Sequence, residues 1–165
     1  WDDMVKVWDT RMGSHGAAQG LLFGPHICGD AIDVSGHEVL TGSWSQKDNL
    51  QLWDLRTMTN TITSEDTSSM LYTAQFSTVG PRKIGIGGSK TDQFCLYDRE
   101  GEHGLNQFGP RLLRHQTEGT YSCHFSPSSM DFLAAGGGNV VKAVDLKTGS
   151  CRDIVAVGFR VVPKW

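Results

Sequence analysis

Long apolar runs are missing from this 165-residue chain. No segment supplies the roughly twenty consecutive apolar residues of a membrane-spanning helix. The first residues also lack the basic-then-apolar layout of a secretion signal, and the two absences together predict no membrane insertion. Charge of one sign is scarce as well. Fifteen Lys and Arg against eighteen Asp and Glu leave a net charge of −3, which offers no electrostatic case for nucleic acid. Helix-period patterning with capping residues is absent throughout, which points to an all-β chain. Close cysteine pairs are lacking too: Cys28, Cys95, Cys123 and Cys151 stand singly in apolar, strand-like segments. That pattern predicts small packed thiols in a reducing, intracellular compartment. Prolines number five against twenty glycines, a balance suited to many tight turns.

What is present is repetition. Residues 38–42 and 50–56 read as an apolar strand, a polar Gly/Ser-containing turn, and a second strand closing on Trp53-Asp54. Val5-Lys6-Val7-Trp8-Asp9 ends 45 residues earlier, Phe94-Cys95-Leu96-Tyr97-Asp98 ends 44 later, and Val141-Lys142-Ala143-Val144-Asp145 a further 47. Self-similarity at that period, with four short strands per unit, marks a radial repeat of sheets. Strands are expected over 4–8, 20–23, 27–34, 38–41, 50–53, 59–62, 71–77, 84–87, 94–97, 121–126, 132–135, 140–144 and 151–157. Polar connections are expected at 10–18, 64–69 and 99–109, with a tight glycine turn at 136–139.

These residues resemble the WD-repeat family of β-propellers, most strongly in the unit ending at Trp53-Asp54 and in the strand ending at Trp8-Asp9. The resemblance implies one propeller spanning 1–165, with units ending near 9, 54, 98 and 145 and with 151–165 giving an outer strand and the start of a further blade. About three blades and partial ones cannot close a ring. The remaining blades are therefore expected from further sequence or another chain. The resemblance also implies a His, Ser/Thr, Asp and Trp network inside each blade. Asp2 and Trp8 match two members of one set; Thr41 and Trp53, with Asp48 in a longer turn, match the next. Tyr97 and Asp98 keep the end of the third unit, where Gly87 replaces the expected hydroxyl. His115 stands at the right distance before Ser126-Pro127, and Asp145 ends that unit.

Other constellations point less far. Asp2-Asp3 and the pair Asp30 and Asp33 offer two carboxylates each, but in turn and strand settings rather than a convergent site. His26-Ile27-Cys28 and Cys123-His124 lack the four converging ligands zinc needs, and neighbours on a strand point to opposite faces. The run Gly85-Ile86-Gly87-Gly88-Ser89-Lys90-Thr91 departs from a phosphate loop, with Ser89 intruding before Lys90 and a strand rather than a helix following. No catalytic residue, metal or cofactor is implied. Two arginines carry a sharper meaning: Arg11 and Arg56 each stand two residues after a Trp-Asp pair. In part of the WD-repeat family such a Trp-Asp-x-Arg motif resembles a docking point for a cullin ubiquitin-ligase adaptor. The expected function is a non-enzymatic scaffold for other proteins in a larger assembly, cytoplasmic, cytoskeletal, ciliary or nuclear. The alternative is a ligase substrate receptor.

Overall fold

A computed structural model describes residues 2–12, 16–64, 69–80, 82–90, 94–99, 106–108, 119–129, 131–136, 141–148 and 150–154. The expected turn at 136–139 lies outside them except for Gly136, as do His115 and residues 155–165. Among the described residues the regular structure is β-strand, with one 3₁₀ turn at Thr10–Met12. No helix among them is long and apolar enough to cross a membrane.

The strands form antiparallel sheets in chain order. β1 (Met4–Val7) pairs with β2 (Gly20–Phe23). The second sheet runs β3 (Ile32–Ser35), β4 (Glu38–Gly42), β5 (Leu50–Asp54) and β6 (Thr59–Ser64). The third runs β7 (Leu71–Phe76), β8 (Lys83–Gly88), β9 (Phe94–Asp98) and β10 (Asn106–Phe108). The fourth runs β11 (Thr120–Phe125), β12 (Asp131–Gly136), β13 (Val141–Asp145) and β14 (Cys151–Ile154). Each four-stranded sheet is an up-and-down meander, as its short turn-rich connections dictate.

Side chains alternate between the two faces of a strand, so every sheet can pack on both sides. Three core clusters result, one at each junction between successive sheets. Leu22 of β2 meets Val39 and Trp53. The opposite face of β4 and β5 sends Leu40, Leu50 and Leu52 against Leu71, Ala74, Phe76, Ile84 and Ile86. Phe94 and Leu96, on the other face of the third sheet, pack against Cys123, Phe125 and Val144. The first strands of the third and fourth sheets lean on the sheet before: β7 touches β3 and β4, and β11 touches β7 and β8.

Polar ties reinforce two of these junctions. Leu71 N–H donates to Ser43 O at 3.0 Å and Ala74 N–H to Asp30 O at 3.2 Å. Asp33 accepts the Phe76 N–H at 2.8 Å through one carboxylate oxygen. Glu38 pairs with Arg82 at 3.1 Å and also with Arg99. Farther along, Thr78 Oγ1 donates to Ser126 O at 2.9 Å.

Sequence patterning missed β10, which falls within the polar stretch 99–109. Its three residues carry too little alternation to stand out. The second, third and fourth sheets each contain a register irregularity of the β-bulge kind, the first of them between Leu52 and Trp53 in the β5–β6 pairing. Between Leu71 and Thr73 the pairing with β8 skips Tyr72, and between Thr120 and Ser122 the pairing with β12 skips Tyr121. Such bulges re-aim a side chain.

Candidate interaction surfaces

Antiparallel connectivity sorts the turns onto two ends of the molecule. One end carries the residues that close β1, β5, β9 and β13; the other carries the starts of β7 and β11 and the 43–49 turn.

At the first end, Asp9 and Asp54 repeat one arrangement. Asp9 accepts the Arg11 backbone N–H at 2.9 Å and holds the guanidinium in a fork, Nε–H on Oδ1 at 2.9 Å and Nη2–H on Oδ2 at 2.6 Å. Asp54 does the same to Arg56, at 2.8, 3.1 and 2.6 Å. The Arg56 guanidinium, followed by its backbone N–H, pulls the Asp54 carboxyl down to about 2; Arg11 lowers Asp9 by the same means. Both guanidiniums stay exposed, at 88% for Arg11 and 67% for Arg56. Asp145 closes its turn likewise, accepting Lys147 N–H at 2.8 Å and Thr148 N–H at 3.3 Å. Asp98 differs: its partner is Lys83 Nζ at 2.5 Å, directly across the β8–β9 pairing. A fork from the carboxylate to a residue two positions on fixes an arginine without burying it, which suits an interface anchor.

The expected internal network is present in part. Trp53 Nε1–H donates to Thr41 Oγ1 at 2.9 Å, both buried. Asp48 is at the surface with a φ of 50°, and Asn49 beside it is the buried residue, donating through Nδ2 to Ser69 O at 2.6 Å. Trp8 remains 58% exposed, and Asp2 is paired with Lys6 at 2.8 Å. Tyr97 is buried in the junction between the second and third sheets. His26 pairs through its ring with Asp3, and its backbone N–H donates to Ser43 Oγ at 3.0 Å. At Gly87 a Cβ would lie 2.7 Å from Thr120 Cγ2 and 2.8 Å from the Thr120 carbonyl oxygen. A side chain at that position would require Thr120 to shift.

The other constellations resolve into structural roles. Asp30 accepts Gln75 Nε2–H at 3.1 Å and Asp33 caps Phe76, so both carboxylates tie the second sheet to the third. Cys123 is buried beside Thr73 Oγ1 at 3.2 Å, whereas His124 lies at the surface against Gln75 Oε1 at 2.8 Å. Among the described residues no group of three or more His, Cys, Asp or Glu is placed to hold a metal ion.

The second end carries what sequence reasoning did not single out. The rings of Trp44, Tyr72 and Tyr121 pack in series, tilted to one another, with centroids 4.4 and 4.9 Å apart. Burial, then the neighbouring Tyr121 and Cys28, push the Tyr72 phenol above its ordinary range. Two tyrosines at matching places in similar units were the available signal, and both stand at register irregularities.

No family model and no curated protein matches the chain. Among solved structures, it is similar to the computationally designed Ika8 protein, with a TM-score of 0.58 at 16% identity. The alignment covers 75% of this chain and 35% of the designed one. At that identity the likeness is one of fold alone.

Proposed function

We propose that the chain is an arc of a WD-repeat type β-propeller that serves as a non-enzymatic scaffold for other proteins. The observation that carries this reading is the succession of four-stranded meanders, with β7 and β11 each packed on the sheet before it. Added to it are the return of a strand-closing Asp at 9, 54, 98 and 145 and the buried Thr41–Trp53 bond. A rigid stack of sheets leaves its turns free to vary and to bind. The open edge of β1, with no second partner strand among the described residues, calls for further strands to complete the first sheet.

The test is affinity purification of the full-length chain from its native cell, followed by mass spectrometry. A stable, stoichiometric heteromeric complex is the expected result. A monomer that turns over a small molecule would overturn the reading.

A second reading, a receptor for a cullin-type ubiquitin ligase, draws on the matched Asp9–Arg11 and Asp54–Arg56 forks. On this reading, changing both arginines to Ala abolishes recovery of the adaptor while the fold is kept. Unchanged recovery removes it.

A further inference from the structure

Four residues after each strand-closing aspartate the chain has Gly13, Met58, Glu102 and Gly149. The backbone at Met58 is left-handed, with a φ of 55°, a conformation that glycine adopts freely and a residue with a Cβ adopts at a cost. Its turn closes locally, Met58 N–H donating to Asp54 O at 2.7 Å. Glycine would make the same turn with less strain, so the methionine side chain needs another reason. Its counterpart lies across the first junction. β2 begins with Gly20, where a Cβ would meet Met58 Sδ and Cε at 2.6 Å and Cγ at 3.2 Å. The thioether occupies the place that a side chain at 20 would fill.

The contact matters because this junction is thin. Leu22, Val39 and Trp53 are its buried residues, and Val5, Leu55 and Met58 pack beside them. β1 and β2 form a sheet of two strands among the described residues, a pairing that is marginal without a neighbour to pack on. Met58 is half-buried, which leaves its sulfur within reach of a small dissolved oxidant. The sulfoxide is polar and bulkier, and no longer suits an apolar contact. Both arginine turns depend on this place: Arg56 stands two residues before Met58, and Arg11 follows β1.

We propose that Met58 is a reversible, oxidation-sensitive clasp holding the first sheet to the second. A hydroperoxide transfers one oxygen to the Met58 sulfur. An S–O bond forms, the O–O bond breaks, the sulfur gives up two electrons, and the peroxide leaves as water or an alcohol. The sulfoxide no longer seats on Gly20, and the β1–β2 pair loosens from Val39 and Trp53, moving Arg11 relative to Arg56. A thiol-dependent methionine sulfoxide reductase reverses the step, two thiols becoming a disulfide while the oxygen leaves as water. The clasp is a property of the fold and does not depend on what the scaffold binds.

The experiment treats the full chain with hydrogen peroxide, maps sulfoxide at all five methionines by mass spectrometry, and follows backbone hydrogen exchange in the same samples. Met12, 60% exposed, reports that the oxidant is active. The expected result is sulfoxide at Met58 with exchange about tenfold faster at residues 20–23. Exchange across β7, β8 and β9 stays as it was, and the reductases for the two sulfoxide epimers restore slow exchange. Met58→Leu keeps an apolar contact that peroxide does not alter, so its exchange at 20–23 stays slow under oxidant. Met58→Gln, similar in length but polar, exchanges fast there before oxidant is added and gains nothing from it. The glutamine variant decides the matter if leucine does not fit the left-handed turn. Complete oxidation of Met12 with Met58 untouched overturns the proposal, as does sulfoxide at Met58 with exchange at 20–23 unmoved. Loosening that persists in the leucine variant, that peroxide adds to the glutamine variant, or that the reductases fail to reverse overturns it equally.

Discussion

Trp53 and Thr41 meet in the junction between the first and second sheets, the indole N–H donating to the threonine hydroxyl at 2.9 Å with both side chains buried. Thr41 faces Gln51 and Trp53 faces Val39 across the β4–β5 pairing, so the bond is a diagonal on one sheet face. Thr41→Val keeps the shape and removes the acceptor, leaving a buried N–H unsatisfied. A loss of about 1–3 kcal/mol in urea unfolding is expected, with Thr41→Ser recovering most of it. Equal stability of the valine variant and wild type would show that the bond is incidental.

Gly87 gives the opposite expectation. A WD-type unit prefers a hydroxyl there, yet Thr120 occupies the space a side chain would need. Gly87→Ser should therefore destabilise, by about 1–3 kcal/mol through overpacking, and Gly87→Ala by a similar amount. Thermal unfolding of both variants measures this; a rise in melting temperature for the serine variant would mean that the third and fourth sheets can part to admit it.

The Asp54 carboxyl titrates near 2 when folded, below its ordinary value of about 4. A carboxyl depressed by folding stabilises the fold above its unfolded value and loses that contribution as pH falls from about 4 toward 2. Arg56→Ala removes the larger cause and keeps the backbone donor. The Asp54 carboxyl carbon, followed by NMR, should then titrate part of the way back toward its ordinary value. A midpoint that does not move would show that Arg56 is not the cause.

The four free cysteines differ in access. Burial pushes the Cys123 thiol up to about 12 despite an opposing hydrogen bond to Thr73, so little reactive thiolate forms at mild pH. Iodoacetamide at pH 8 should label exposed Cys151 first and leave Cys123 unlabelled until the chain unfolds. Peptide mapping of the labelled native chain reads the order, and early labelling of Cys123 would mean that the junction between the third and fourth sheets opens.

Much of the architecture was legible because one physical rule writes it. A strand buried on both faces between short turns shows as a brief apolar run, and β4, β5, β7, β8 and β9 stand close to where such runs occur. The Trp-Asp endings were legible because the Asp closes a turn locally, through residues two positions on. Contacts set by register were not. Lys83 meets Asp98 only because β8 and β9 pair at that step, and Asn49 rather than Asp48 turns inward because the 43–49 turn packs against Ser69. The ring series was hidden for the same reason: Tyr72 and Tyr121 look like ordinary strand residues until the packing of successive sheets sets them side by side.

The propeller account is tested most directly by an experimental structure of the chain in its native assembly. The account predicts that β3, β7 and β11 line a common axis, that further four-stranded sheets complete the circle, and that a strand pairs with the open edge of β1. Sheets stacked face to face as a two-layer sandwich, or a circle left incomplete with β1 still bare, would contradict it.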